Sequence, residues 1–427
     1  MKKISIITLG CSKNVVDSER LARQCAAAGY SVVFDSETYT DIVIINTCGF
    51  IHDAKEESIS VILNAIQAKE LGFVQKIFVI GCLSERYAQD LRTELPEVDA
   101  FFGARNVMQV LESLHIEEKN HLLNERIIST PPHTAYLKIA EGCNRSCSFC
   151  TIPSIRGTHR SVPIENVVAE AQFLVSKGAK ELSIISQDIS YYGIDIYGSN
   201  SLLPLLQKLH AIDGLEWIRL HYAYPNNFPL EVVDFMRDSS KICHYLDIPL
   251  QHISDVVLER MRRGMTAAKT RTLLDEIRTK VPDIALRTTL IVGHPGESEQ
   301  EFKKLEEFVQ MYEFERLGVF TYSHEDGTYA ALHYKDSIPQ KIKQERADAI
   351  MQLQQDISHK KNASYIGKPI QVLIDRKEGE GFVGRTQYDA YEVDNEVYVT
   401  TPNLTVGEFY TVVIDSADFY DSTGHVV

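Results

Sequence analysis

The chain has 427 residues, a length that predicts two or three domains. Hydrophobic residues make up 44% of it, which excludes a largely disordered chain, and the net charge of −15 argues against a basic surface that coats nucleic acid. The first apolar run is too short for a signal peptide, and no stretch reaches membrane-spanning length, so we expect a cytoplasmic protein.

The first region, residues 1–118, alternates short buried strands with amphipathic helices. Apolar, β-branched runs predict strands at 4–9, 41–46 and 76–80. Apolar residues at helical spacing predict helices at 17–28 and 55–69. This alternation predicts a parallel α/β sheet with right-handed crossovers. Residues 119–134 are polar and indicate a linker.

The second region, residues 135–358, repeats the alternation of strand and helix six times. The predicted strands are 136–139, 181–186, 217–220, 245–248, 285–291 and 316–320. Six βα units are fewer than the eight of a closed barrel, so we predict a partial, open (βα)6 barrel. Such barrels carry their chemistry at the carboxyl ends of the strands.

The last region, residues 362–427, changes to short β-rich runs separated by Gly and Asn turns. The predicted strands are 372–375, 381–385, 396–400 and 410–415. These runs predict a small all-β barrel.

Three cysteines, which we call the loop trio, follow the first predicted barrel strand: Cys143, Cys147 and Cys150. Three thiolates within eight residues can bind three irons of a 4Fe–4S cluster. They leave the fourth iron without a protein ligand, as a catalytic cluster requires. The alternatives are three cysteines that are close by chance and a zinc site, which favours two Cys-x2-Cys pairs; no second pair follows in this sequence.

Another three cysteines, the sheet trio, each close a predicted strand of the first region: Cys11, Cys48 and Cys82. The carboxyl ends of parallel strands share one edge, where ligands bind in open α/β folds. Each of these cysteines alone is more often a core residue, but the three together predict a second iron–sulfur site. Cys25 and Cys243 are predicted to be structural.

An iron without a protein ligand needs a small molecule, and S-adenosylmethionine (SAM) can bind it through its amino and carboxylate groups. Glutamine side chains offer paired donor and acceptor atoms for an amino-acid moiety, and glycines allow close approach to a nucleoside. For each single residue, an ordinary loop role is an equally good interpretation. The candidates for SAM binding are Gln187, Asp188, Arg219, Gln251, Gly293 and Gly296.

Along essentially its whole length, the sequence resembles the methylthiotransferases, a branch of the radical SAM enzymes. The domain order also fits that family: a cluster domain, a radical SAM barrel and a TRAM-type β-barrel. The matching motifs are TLGCSKN from Thr8, NTCGF from Asn46, GCL from Gly81, EGCNRSCSFCTIP from Glu141, DIPLQH from Asp247 and RTTLIVGHPGE from Arg287.

The resemblance implies an enzyme with two 4Fe–4S clusters and two SAM molecules. The cluster on the loop trio reductively cleaves one SAM to a 5′-deoxyadenosyl radical, which abstracts hydrogen from an unactivated carbon. The cluster on the sheet trio handles sulfur, and the second SAM supplies the methyl group. The resemblance also implies a low-potential electron donor such as flavodoxin or ferredoxin.

The family divides by substrate, and the RimO-type branch modifies the β-carbon of an aspartate in ribosomal protein S-twelve. The other branch modifies an adenosine in tRNA and typically reads GCQMN at the first motif. Two hypotheses stay open beside the aspartate enzyme: a tRNA methylthiotransferase and a non-enzymatic two-cluster electron carrier. The motifs that resemble the RimO-type branch are GCSKN from Gly10, SQD from Ser186 and PLQH from Pro249.

The charge of the last region favours the protein substrate. Residues 362–427 carry four Lys/Arg against eleven Asp/Glu, a net of −7. An RNA-binding module gains affinity by neutralising phosphates, which this region would repel, whereas an acidic barrel suits a basic ribosomal protein. A merely solvated surface is the alternative. We therefore expect neither a nucleic-acid substrate nor a membrane partner.

Overall fold

The computed structural model describes residues 2–36 and 40–427. Its N-terminal region is a five-stranded parallel sheet in the order β2-β1-β3-β4-β5. The strands are β1 (Lys3–Thr8), β2 (Ser31–Phe34), β3 (Ile42–Thr47), β4 (Lys76–Gly81) and β5 (Ala100–Phe101). The helices are α1 (Ser12–Ala27), α2 (His52–Glu70), α3 (Cys82–Glu94) and α4 (Val110–Ser113).

The central strand β3 is buried along its whole length because helices cover both faces of the sheet. On one face Ile44 packs with Leu21 of α1, and on the other Ile45 packs with Ile62 of α2. The predicted parallel α/β sheet is therefore confirmed. Its short edge strands β2 and β5, and helix α3, were not predicted.

The central region is an open six-stranded parallel sheet in the order β6-β9-β10-β11-β12-β13. These strands are β6 (Thr134–Lys138), β9 (Glu181–Ile185), β10 (Trp217–Leu220), β11 (Ile242–Asp247), β12 (Ala285–Val292) and β13 (Arg316–Thr321). A small antiparallel pair, β7 (Ala140–Glu141) and β8 (Arg160–Ser161), flanks the loop trio. The partial (βα)6 barrel is confirmed.

Helices connect the barrel strands and share one hydrophobic core with them. A 24-residue helix, α14, leads out of the barrel into the last region. The helices are α5 (Ile152–Arg156), α6 (Ile164–Ser176), α7 (Ile194–Tyr197), α8 (Leu202–His210), α9 (Leu230–Asp238), α10 (Asp255–Arg260), α11 (Ala267–Lys280), α12 (Glu299–Tyr312), α13 (Tyr329–His333) and α14 (Gln340–Ala363). None of the helices in the described part of the chain is both long and apolar enough to span a membrane.

The last region is a closed five-stranded barrel in the order β14-β15-β16-β18-β17. Its strands are β14 (Pro369–Glu378), β15 (Gly381–Thr386), β16 (Val397–Val399), β17 (Phe409–Ala417) and β18 (Ser422–Val426). The small all-β barrel is confirmed, and β18 closes it by pairing with β16 and β17.

The two outer regions dock at opposite ends of the central barrel. Lys138, at the carboxyl end of β6, pairs with Asp17 of the N-terminal region. Arg316, at the amino end of β13, pairs with Asp389 of the C-terminal barrel. Each outer region is thus joined to the central barrel by an ion pair. The exact domain boundaries at 118, 135, 358 and 362 stay predictions.

Candidate active site

The loop trio lies in the segment between β7 and α5, at the carboxyl end of the central barrel. The backbone N–H of Cys143 donates to the Gly157 carbonyl at 3.1 Å, and that of Ser148 donates to the Met261 carbonyl at 2.9 Å. Within this anchored loop the thiols of Cys147 and Cys150 come within electrostatic range of each other and of Cys143. The loop therefore presents three sulfurs as one group.

Several hydrogen-bond donors point at these sulfurs. The backbone N–H of Arg145 donates to Cys143 Sγ at 3.4 Å, and that of Ile152 donates to Cys150 Sγ at 3.5 Å. The buried guanidinium of Arg263 donates to Cys147 Sγ at 3.3 Å. Donors of this kind stabilise thiolates, the form in which cysteine binds iron.

Burial works against the thiolate while no metal compensates its charge. It raises the pKa of the Cys143 thiol to about 11 and that of Cys150 to about 12. Because these thiols are protonated at neutral pH, iron has to displace their protons when it binds. The donor set thus suits a metal cluster rather than free reactive thiols.

The sheet trio lies at the carboxyl edge of the N-terminal sheet, as the strand alternation predicts. Cys11 precedes α1, Cys48 follows β3, and Cys82 begins α3. Their thiols are within electrostatic range of one another, and burial raises the pKa of Cys82 to about 12. Gly10, at φ +90°, makes the approach feasible, since a Cβ there would lie 2.7 Å from Cys48 Cβ.

One buried arginine, Arg156 of α5, lies between the two trios. Its guanidinium donates to Asp17 at 3.1 Å and to Glu141 at 3.0 Å, and it also bonds Asn14. It is also within electrostatic range of Cys82 in the sheet trio, whose thiol pKa its positive charge lowers. Burial alone would raise the pKa of Glu141, but Lys138 and Arg156 hold it at about 2. Arg156 and its partners Asn14, Asp17 and Glu141 therefore lie between the two trios, and we call the region that they line the cleft.

Gln187 and Gln251, two candidates for SAM binding, lie at the carboxyl ends of β9 and β11. The Oε1 atoms of both are buried and have no hydrogen-bond partner within residues 2–36 and 40–427. Gln251 also adopts φ +73°, a left-handed conformation that is uncommon for residues other than glycine. Unpaired buried acceptors at this end of the barrel fit a polar ligand such as the amino-acid part of SAM.

The candidate glycines lie in the turn after β12. Gly293 has φ +76°, and a Cβ there would lie 2.3 Å from Cγ of Lys343 on α14. Gly296 has φ +101°, and a Cβ there would lie 2.4 Å from Cδ of Arg260. The backbone of this turn therefore tolerates only glycine at both positions.

Models of three families match the chain. The uncharacterized protein family UPF0004 matches residues 3–103, the radical SAM superfamily matches 137–309, and the TRAM domain matches 366–427. Relatives named ribosomal protein uS12 methylthiotransferase RimO match over the full length. That of Bacteroides fragilis is 52% identical, over 100% of this chain and 99% of the relative. Those of Christiangramia forsetii and Flavobacterium johnsoniae are each 51% identical, over 99% of this chain and 94% and 97% of the relatives.

The chain belongs to the RimO family of radical SAM methylthiotransferases. This membership confirms the resemblance drawn from the motifs and makes the chain an enzyme, not an electron carrier. As a radical SAM enzyme of the RimO family, it uses a 4Fe–4S cluster and SAM.

Solved structures with the same fold are more distant from this RimO-family chain. The radical SAM methyltransferase TsrM of Kitasatospora setae is 13% identical, with a TM-score of 0.56 over 77% of this chain and 74% of that one. The cobalamin-dependent SAM radical enzyme OxsB is also 13% identical, with a TM-score of 0.52 over 82% of this chain and 56% of that one. At this identity they show the fold alone.

Two of the predicted SAM contacts have other partners in this RimO-family chain. Arg219 is fully buried, with Nε 2.8 Å from Glu181 and Nη1 donating to the Gln387 carbonyl of the C-terminal barrel at 2.6 Å. Asp188 accepts from Arg145 at 2.7 Å and from the backbone N–H of Ser190 at 2.9 Å. The structure thus brings Arg219 to the amino ends of the strands, away from the loop trio, and occupies both oxygens of Asp188.

Cys25 and Cys243 lie inside hydrophobic cores of this RimO-family chain. Cys25 packs with Ile4 and Leu21, and Cys243 packs with Trp217 and Tyr245. Burial raises the pKa of each thiol to about 12, so both are inert thiols at neutral pH.

Sequence reasoning overlooked several residues that complete the site. Arg156 and Arg263 approach the sulfurs, and Tyr224 places its hydroxyl 3.8 Å from Cys147 Sγ. Tyr222, just beyond β10, has its ring 3.0 Å from Nζ of Lys13. Of these residues, only Lys13 could have been found from the sequence, because it lies two residues after Cys11 in the motif TLGCSKN.

Proposed function

We propose that this chain transfers a methylthio group to the β-carbon of an aspartate of ribosomal protein uS12. The support is the name carried by its full-length relatives, ribosomal protein uS12 methylthiotransferase RimO. The observation that carries the chemistry is that Arg156, just after the loop trio in the chain, reaches Asp17 of the N-terminal region and the charge field of Cys82 in the sheet trio.

Each trio is proposed to hold one 4Fe–4S cluster, so that the enzyme carries two. The loop trio and its donors would hold the cluster that cleaves SAM, and the sheet trio would hold the cluster that handles sulfur. When bound, these clusters and two SAM molecules supply the radical, the sulfur and the methyl group. Arg156 fixes the spacing of the two trios by bonding to groups on both sides of the cleft.

The residues proposed to orient SAM are two glutamines with unpaired acceptor atoms and two glycines in the turn after β12. Gln187 and Gln251 would accept from its amino group, and Gly293 and Gly296 would let its nucleoside approach the turn. Asp188 would act indirectly, by holding Arg145 beside the loop trio. Arg219 would serve as a link to the C-terminal barrel.

The acidic C-terminal barrel is proposed to guide the basic substrate, but only part of its charge is free to do so. Asp389 and Asp394 pair with Arg316 and Arg287 of the central barrel, and Glu408 pairs with Lys180. Rim charges steer association more than they add affinity, so this attraction weakens with salt. Glu378 and Asp415 are exposed but face Arg376 and His425, so the exposed carboxylates left to face uS12 are Glu380, Glu392, Asp418 and Asp421.

We propose a low-potential flavodoxin or ferredoxin as the electron donor, and the cytoplasm as the site of action because the substrate is a ribosomal protein. The electron donor would need access to the loop trio, whose three cysteines are each partly exposed.

The test compares two substrates with the anaerobically reconstituted enzyme, SAM and dithionite. We expect a methylthio mass gain on uS12 and none on unmodified tRNA, measured by mass spectrometry of both. Heat-denatured enzyme gives the background. A mass gain on tRNA alone would contradict the proposed substrate while leaving the radical chemistry intact.

A further inference from the structure

Lys13, in the first turn of α1, is a largely buried residue whose ammonium group has no anion in the described part of the chain. The residue is 5% exposed, and its Nζ lies 3.0 Å from the centre of the Tyr222 ring. Throughout residues 2–36 and 40–427, no carboxylate forms an ion pair with it within 4.0 Å. The aromatic face compensates the charge only in part.

Two other buried cations of the same cleft, Lys138 and Arg156, have acidic partners, and a third, Arg263, donates to Cys147 Sγ at 3.3 Å and to the Pro249 carbonyl. Lys138 pairs with Asp17 and with Glu141, the second at 2.9 Å. Arg156 pairs with the same two carboxylates. Lys13 differs from these three because its ammonium has neither an ion pair nor a hydrogen bond within residues 2–36 and 40–427, and an unpaired charge in such a site is costly.

The ammonium points to the mouth of the central barrel. The backbone N–H of Tyr222 donates to Asp247 at the end of β11, at 3.2 Å, and its carbonyl accepts from Ile189 beyond β9, also at 3.2 Å. Tyr222 adopts φ +63°, a strained conformation for an aromatic residue that these contacts hold in place. Lys13 therefore lies between the sheet trio and the carboxyl ends of three adjacent strands.

We propose that Lys13 binds the carboxylate of the substrate aspartate and makes the enzyme specific for an acidic side chain. The inference rests on the proposed function, because an adenosine substrate would bring no carboxylate to the cleft. In aspartate the carboxylate is bonded directly to the β-carbon. An ion pair with Lys13 would therefore fix the reacting carbon beside the sheet trio, whose Cys11 is two residues away in the chain.

SAM also carries a carboxylate, but Lys13 and the loop trio have different neighbours. The groups next to Lys13 are Tyr222 and His221, whose pKa burial lowers well below its ordinary value. The groups next to Cys147 of the loop trio, where the amino-acid part of SAM is expected, are Tyr224 and Arg263. The two carboxylates would thus occupy different sides of the cleft.

The experiment combines a change in the enzyme with a change in the substrate. Reconstituted wild type and Lys13→Gln are each assayed with uS12 and with uS12 whose target aspartate is replaced by asparagine. For the wild type we expect kcat/KM to be about 100-fold higher with aspartate than with asparagine. In Lys13→Gln we expect kcat/KM for aspartate to fall about 100-fold and the preference to shrink to about threefold or less.

Binding supplies a readout that does not depend on turnover. The Kd of the reconstituted enzyme for uS12, measured by fluorescence anisotropy, is expected to rise in Lys13→Gln while the Kd for SAM stays unchanged. Lys76→Gln is the matched control, an exposed lysine at the opposite, amino end of the same sheet. It is expected to leave both constants as in the wild type. Equal iron content and circular dichroism show that each variant is folded and loaded.

Three results would overturn the proposal. One is a wild type that modifies the asparagine substrate as well as the aspartate, a comparison that holds even if Lys13→Gln misfolds. Another is a Lys13→Gln variant that loses affinity for SAM rather than for uS12, which would assign the ammonium to the cofactor. The third is a wild type that modifies only tRNA, which would also overturn the proposed function and is seen before any variant is made.

Discussion

At the carboxyl end of the central barrel, buried polar groups are left without partners in the described part of the chain, whereas at the amino end Glu181 and its two arginines form a paired ionic cluster. Gln187 Oε1 and Gln251 Oε1 accept no hydrogen bond, and Lys13 has no carboxylate, within the described residues. At the other end, Glu181 bonds Arg219 at 2.8 Å and Arg385 at 2.7 Å.

This difference indicates that the carboxyl end of the barrel binds ligands and that the amino end holds the central and C-terminal barrels together. Unpaired buried groups cost stability, so they persist where a ligand supplies the missing partner. Fully paired buried ions instead hold two regions in a fixed relation, as Arg385 of the C-terminal barrel does with Glu181 of the central barrel. We therefore expect changes at the carboxyl end to affect chemistry and changes at the amino end to affect stability.

The largest expected effect is at the carboxyl end. Replacing Cys147 by alanine removes one of three thiolates from the loop trio, so SAM cleavage should be abolished. The measurement is 5′-deoxyadenosine by liquid chromatography, with iron content and the thermal unfolding midpoint in parallel. Cys25→Ala, a buried cysteine remote from both trios, is the control and should retain cleavage. Cleavage at the wild-type rate in Cys147→Ala would rule out the loop trio as the SAM-cleaving site.

At the amino end we predict a loss of stability without a loss of chemistry. Replacing Glu181 by glutamine breaks a buried pair with Arg385 and should lower the free energy of unfolding by about 3–5 kcal/mol at pH 7. Urea unfolding of the metal-free chain measures it. Turnover per iron-loaded molecule should stay unchanged.

The same pair sets a pH dependence with a defined direction. Burial alone would raise the pKa of Glu181, but Arg385 and Arg219 hold it at about 2, below its ordinary 4.5. The stabilisation is therefore complete above about pH 4.5 and is lost as the pH falls through about 2. The difference between wild type and Glu181→Gln should shrink over that range. Arg376→Gln, which breaks an exposed pair with Glu396, is the control and should cost less than about 1 kcal/mol. A pH-independent difference would contradict this account.

A smaller effect is expected from the donor to the loop trio. Arg263→Gln removes a positive donor to Cys147 Sγ, so the reduced cluster should lose stabilisation. A charge-assisted bond of about 1.5–3 kcal/mol corresponds to a potential about 60–130 mV more negative for a one-electron couple. Titration monitored by electron paramagnetic resonance, in a background whose sheet trio is replaced by alanine, measures it.

The neighbouring Arg262→Gln serves as control for that potential. Arg262 is exposed and its guanidinium lies over the Tyr329 ring, 4.4 Å from the centre. An equal shift in both variants would show that the effect is general charge and not the bond to sulfur.

How far the sequence predicted this site depends on how local each feature is. The loop trio lies within eight residues, so its spacing alone indicated an iron–sulfur cluster. The sheet trio needed one further step, from strand alternation to a parallel sheet, and that step was right. Arg156 could not be predicted, because its partners Asn14 and Asp17 are brought to it only by the docking of two regions.

The sequence does not show where a side chain points, which charges are already paired, or that a polar run forms a strand. Arg219 is in β10 and was expected near SAM, but it faces Glu181 and the C-terminal barrel. The number of acidic residues in the last region likewise could not reveal that Asp389 and Asp394 form ion pairs with arginines of the central barrel. Strand β18 was missed because Ser422–Val426 is largely polar, although it forms an antiparallel pair with the preceding strand β17.

The central claim is that the carboxyl end holds two cysteine trios with separate tasks. Its most direct test is the Cys48→Ala variant, assayed at once for 5′-deoxyadenosine and for the methylthio product on uS12. Since Cys48 belongs to the sheet trio alone, we predict that SAM cleavage continues while methylthio transfer stops. Methylthio product formed at the wild-type rate would contradict the claim.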